Sequence, residues 1–207
     1  MRLTAVTLKD LTLSMVAGLA AYPVLAQTAP APASPAAPAS TGLNDKMINN
    51  PLAPWNAYGA NQKSVLLDRD GPKGYPATRV TVTAKGANAW DAGVGIPMPK
   101  AIASGDVIYI AIYLRAPEAK DGEKIAMPFL GITGATPPYA PIATDRATIT
   151  NQWAQYYALG TATQAYPANG TQATVHLAGD KQVIDIGPAR VFDFGPGFDA
   201  SRLPHNQ

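Results

Sequence analysis

The chain has 207 residues, only 14% of them charged, and a formal net charge of +2, against the ~25% charged residues of an average soluble domain. With 18 glycines, 20 prolines and 47% apolar residues, it is neither a helical bundle nor a charged disordered chain. It has no cysteine and two histidines, His176 and His205, which excludes disulfide scaffolds, thiolate chemistry and Cys-ligated metals and nearly excludes multi-histidine sites.

The N-terminus begins with Arg2 and Lys9, weakened by Asp10, and continues into an apolar run from Leu11 to Leu25 that contains Pro23. The run is short for a membrane span, and Val24-Leu25-Ala26 has the character of a cleavage site. Residues 1–26 therefore read as a signal peptide, and the mature protein is expected in the periplasm or outside the cell. Residues 27–44 form an Ala/Pro-rich linker. Its four prolines between Thr28 and Ser40 hold the chain extended. Such a linker gives the following domain reach at a surface, or serves only to ease export. Cleavage removes Arg2, Lys9 and Asp10 and leaves a nearly neutral chain without a Lys/Arg cluster, so nucleic acid is not an expected partner.

Residues 45–207 form the folded part. Its runs are short, β-branched and aromatic, broken by Gly, Pro, Asn and Asp. Arg79–Lys85 alternates, with Val80, Val82 and Ala84 on one face. Asp106–Arg115 is apolar on both faces. Ile108, Ile110, Ile112 and Leu114 form one, Tyr109, Ala111, Tyr113 and Arg115 the other, the signature of a central strand. Lys124–Gly131 is a strand in which Pro128 marks an edge or a bulge. Gln152–Leu159 suits a short helix or a strand, and its β neighbours favour the strand. Thr171–Leu177 and Gln182–Ile186 flank Ala178-Gly-Asp-Lys181, which has the composition of a hairpin turn. Val191–Phe194 closes the set before Gly195-Pro-Gly197. The pattern predicts an all-β fold, an antiparallel β-sandwich of the jelly-roll, galactose-binding-like type.

One ordered series stands out. Tyr75–Thr83, Ala87–Gly93, Ser104–Ala116, Pro137-Pro-Tyr139 and Gln152-Trp-Ala-Gln-Tyr156 precede the last strands. The series resembles the jelly-roll carbohydrate-binding modules that accompany bacterial xylanases and cellulases, over about residues 52 to 200. In such modules a strand ending in aromatic–x–Arg–Ala is followed by a Trp-x-x-Tyr strand, which Tyr113–Ala116 and Trp153–Tyr156 match. The resemblance implies a non-catalytic domain that binds a polysaccharide or oligosaccharide, beside a separate glycoside hydrolase. It also implies a core position for Trp153 and, in many such modules, a structural calcium ion. Asp68, Asp70, Asp185 and Asp193 are candidate calcium ligands by residue type alone.

Catalytic signatures are missing. There is no Gly-x-Ser-x-Gly turn, no His-Glu-x-x-His and no phosphate loop. The only glutamates, Glu118 and Glu123, lie in one polar loop. Sugar binding asks for less: a flat aromatic ring to meet the C–H face of a pyranose, and polar side chains for its hydroxyls. Trp90, with Asp91 beside it, sits among small residues after a strand, either half exposed or folded back as a lid on the core. Tyr109, Tyr113 and Arg115 either floor a groove on a concave sheet or form a minor cluster under a covering loop. Tyr139 lies on a proline-stiffened loop that holds a ring for ligand or packs as a turn. Gln172, Thr174 and His176 point away from Ala173, Val175 and Leu177, and either join the same face or are simply solvated. Trp55 has no assigned place. A glycan-active hydrolase or esterase and a structural or adhesive surface domain remain as alternatives.

Overall fold

A computed structural model describes residues 42–206; residues 1–41, which hold the expected signal peptide and most of the expected linker, lie outside the described residues. Ten strands follow one another: β1 (Asn56–Gly59), β2 (Gln62–Leu67), β3 (Ala77–Val82), β4 (Ala92–Pro97), β5 (Asp106–Arg115), β6 (Ile125–Gly134), β7 (Pro141–Ile149), β8 (Ala154–Thr161), β9 (Thr171–His176) and β10 (Gln182–Pro196). They build two antiparallel five-stranded sheets, ordered β1-β4-β9-β6-β7 and β2-β3-β10-β5-β8. We call these the first and second sheets. Together they make a jelly-roll sandwich.

Alternation decides which side chains fill the space between the sheets. Ile108, Ile110, Ile112 and Leu114 of β5 point inward and are fully buried. They meet Val94 and Ile96 of β4, Leu130 and Ile132 of β6, and Ala173 and Val175 of β9 in one continuous core. Each fully buried Ile or Leu stabilises the fold by roughly 1.5–3 kcal/mol relative to exposure. Trp55 joins this core, and its indole N–H donates to the Gly187 carbonyl at 2.9 Å.

Three expectations change in the structure. β9 pairs with β4 and β6, while β10 pairs with β3 and β5, so the turn at Ala178–Lys181 carries the chain from one sheet to the other instead of closing a hairpin. The segments Gln182–Ile186 and Val191–Phe194 belong to one 15-residue strand, whose register shifts between Ile186 and Ala189. Gly187 and Pro188 lie at that shift, and their turn-like composition hides the continuity. Trp153 is half-buried and lies outside the core, on the outward side of the second sheet, with the Arg115 guanidinium 4.7 Å above its ring. Pro128 sits in a bulge: β6 has a partner on each side, and its register with β7 shifts between Met127 and Leu130.

Candidate carbohydrate-binding face

The outward side of the first sheet is built from rows of directly opposed residues, which share a face. One row runs Tyr58–Gly93–His176 across β1, β4 and β9. The next runs Asn56–Gly95–Thr174–Gly131–Thr144 across all five strands. A third contains Pro97, Gln172 and Thr133. The middle row, of small and short polar residues, is a trough perpendicular to the strands, and four strand spacings make it ~19 Å long.

Aromatic rings stand along one wall of the trough. Phe129 stacks on His176 with centroids 4.2 Å apart and planes 16° from parallel. Trp90 meets His176 edge-on at 6.3 Å and is 60% exposed. Tyr58 lies over Gly93, where a Cβ would come within 2.5 Å of the phenol oxygen. The Thr174 hydroxyl donates to the Val94 carbonyl at 3.0 Å, so the Tyr58 hydroxyl 3.3 Å away donates to Thr174 Oγ1. Burial raises the Tyr58 phenol above its ordinary pKa and lowers that of His176, so His176 is a neutral ring at pH 7. The Gln172 carboxamide reaches toward Gly95 in the trough, 3.4 Å from where a Cβ would stand. The wall therefore offers aromatic faces, and the trough offers neutral donors and acceptors.

The sequence-derived residues do not form one constellation. Trp90 stands on the first sheet's side as a half-exposed ring. Asp91 is occupied in bracing it: its carboxylate accepts the Asn88 backbone N–H at 2.9 Å and closes a capping box around the short 3-10 turn Ala89–Asp91. Tyr109, Tyr113 and Arg115 belong to the second sheet, on the opposite outer side of the sandwich. Tyr109 is only 5% exposed, stacked on Tyr157 and covered by the C-terminal segment, with its hydroxyl donating to the Pro204 carbonyl at 2.9 Å. Arg115 is committed to an ion network: its Nε donates to Asp185 at 2.7 Å and its Nη2 to Asp70 at 3.1 Å. Arg79 holds Asp185 from the other side with bonds of 2.7 and 2.9 Å. Tyr113 is half-buried beside this network. Tyr139 is 53% exposed on the β6–β7 loop, beyond the Thr133 end of the face. Tyr58 and Phe129 escaped the sequence reading. The alternation Gly93-x-Gly95 on an outward face was the available signal that something lies across β4 there.

Two of the four aspartates considered for calcium, Asp185 and Asp70, are committed to ion pairs. Both Asp185 oxygens are taken by arginines and Asp70 is paired with Arg115. Among the described residues no three acidic or histidine side chains converge. Asp193 accepts the Gly195 N–H at 2.8 Å, and burial, with the neighbouring Asp106 carboxylate, raises its carboxyl above the usual range.

No protein-family model and no curated protein matches the sequence. Solved structures do. A CBM4 structure aligns with 67% of this chain and 94% of its own at 18% identity and a TM-score of 0.52. The second N-terminal cellulose-binding domain of Cellulomonas fimi β-1,4-glucanase C aligns over 73% and 93%, at 20% identity and 0.51. The CBM22-1–GH10 modules of Clostridium thermocellum endo-1,4-β-D-xylanase 10B, complexed with xylohexaose, align over 73% of this chain and 29% of theirs, at 11% identity and 0.52. The jelly roll found here is the fold of these carbohydrate-binding modules.

Proposed function

We propose that this chain is an exported, non-catalytic module that binds a poly- or oligosaccharide across the outward side of the first sheet. The observation that carries the reading is the aromatic wall of Tyr58, Trp90, His176 and Phe129 along a glycine- and threonine-floored trough. Rings on the wall stack on pyranose C–H faces, and Gln172 and Tyr58 meet hydroxyls. A polysaccharide ligand fits a partnership with a separate glycoside hydrolase. The export signal ending at Ala26 supports a mature protein beginning at Gln27, in the periplasm or outside the cell.

Calorimetry of residues 27–207 against xylan, β-glucan and galactan oligomers tests the reading. Saturable binding by wild type that weakens in Tyr58→Ala supports it. Absence of binding to every glycan, or release of reducing sugar or acetate, overturns it.

A further inference from the structure

The sandwich has four edge strands, β1 and β7 in the first sheet and β2 and β8 in the second. An uncovered edge pairs with other chains unless it is short, charged or interrupted by proline. β1 has four residues, β2 carries Lys63, and β7 carries Asp145, Arg146 and Pro141. β8, Ala-Gln-Tyr-Tyr-Ala-Leu-Gly-Thr, has eight residues and none of these devices.

The C-terminal segment covers this edge. It leaves β10 through Gly195 and Gly197, both at positive φ with nothing near their Cβ positions. Phe198 stacks on Phe194 at 4.2 Å, and Leu203 packs on the cluster of Tyr109, Ala111 and Phe192. At its end Asn206 occupies the place of a neighbouring strand. Its Oδ1 accepts the Tyr157 N–H at 2.9 Å and its Nδ2 donates to the Tyr157 carbonyl at 2.8 Å. The second N–H of the same amide is shared between Arg146 O and Asp145 Oδ2 on β7, each 3.0 Å from the nitrogen, and so ties the two sheets together.

We infer that β8 is a latent self-association edge capped by residues 198–206, and that displacing the cap lets a second copy of this chain pair with β8, antiparallel, about a two-fold axis near Tyr157. A second copy is the fitting occupant because an antiparallel edge is complementary to itself across a two-fold axis. The uncharged sequence of β8 also sets no like charges against each other there.

The test is analytical ultracentrifugation of the mature chain and of a version ending at Gly197. The shortened chain should dimerise at least tenfold more tightly than the full one. Leu159→Pro in the shortened chain removes the next outward N–H of the edge and keeps Tyr109, Tyr157 and Phe194. It should restore the monomer if pairing runs through backbone hydrogen bonds. A shortened chain that is folded and monomeric overturns the inference, and so does association that survives Leu159→Pro. Should the shortened chain not fold, Leu203→Ser with Asn206→Ala in the full-length mature chain frees the segment without removing it. Tighter dimerisation supports the inference there, and an unchanged equilibrium overturns it.

Discussion

The two outward faces of this sandwich are made from the same materials and left in opposite states. Each carries tyrosine, phenylalanine and a tryptophan beside polar groups. On the second sheet the polar groups neutralise one another: Asp185, with its side chain 0% exposed, sits between Arg79 and Arg115, and the rings of Tyr109, Phe192 and Phe194 pack with the chain's own C-terminal segment. On the first sheet the aromatic wall has no such cover, the groups are neutral, and glycines keep the floor low. A face whose charges and rings are already satisfied contributes to the fold. One whose Trp90 ring stands free, beside the Gln172 carboxamide and a Tyr58 oxygen that can still accept, has interactions left for a ligand.

The sharpest way to break this contrast is to attack the ion network. Asp185→Ala should destabilise the fold by about 3 kcal/mol, the low end for a broken buried ion pair, because Arg79 and Arg115 keep some contact with water. Urea denaturation measures it, and glycan affinity of the folded fraction should not move. A loss well under 1 kcal/mol would make the network an ordinary surface pairing.

The next effect belongs to the open face. Trp90→Ala should weaken glycan binding by roughly tenfold, equivalent to about 1.4 kcal/mol, with an almost unchanged melting temperature. Tyr113→Ala should leave binding as it was, because its ring is on the other side of the sandwich. Equal losses in the two variants would abolish the distinction between the faces.

This division was only half legible in the sequence. Alternation is local, so the strand cores of β3, β5 and β9 and the outward turn of Tyr113 and Arg115 could be read from residues two apart. Sheet membership depends on pairings between distant segments, such as Asp185 with Arg115, and no local pattern records those. One of the two readings open for Gln172, Thr174 and His176 therefore set them beside the outward residues of β5, although the two strands lie in different sheets. Phe129 was missed because the bulge at Pro128 resets the alternation, and Tyr58 because a four-residue strand shows no period. The small residues around Trp90 allowed an exposed ring or a lid on the core, and the structure has the exposed one, whereas nothing local revealed that Asp91 spends its carboxylate on the turn beneath it.

A smaller effect tests the cover on the second face. Tyr109→Phe removes the hydroxyl that donates to the Pro204 carbonyl and keeps the stacking on Tyr157. It should cost about 1 kcal/mol, the net worth of one hydrogen bond, and speed amide exchange in residues 198–206. Unchanged exchange there would mean that Phe198, Leu203 and Asn206 hold the segment without it.

The smallest expected effect concerns the wall of the first face and its response to pH. Burial lowers the His176 pKa below its ordinary value of about 6.5, and the rings packed on it, Phe129 and Trp90, carry no charge to offset that. Above this pH the imidazole is neutral in both folded and unfolded chains, and stability does not depend on it. As pH falls below about 6.5 the unfolded chain takes up the proton first, so stability declines until the folded pKa is passed and then levels off. Asp193 works in the opposite direction, since burial raises its carboxyl and the folded chain takes its proton first. Comparing wild type with His176→Gln cancels Asp193 and every other group. Denaturation from pH 7 downward should show the wild-type advantage over the variant shrinking with acidification. A difference that stays flat would place His176 in solvent and remove it from the aromatic wall.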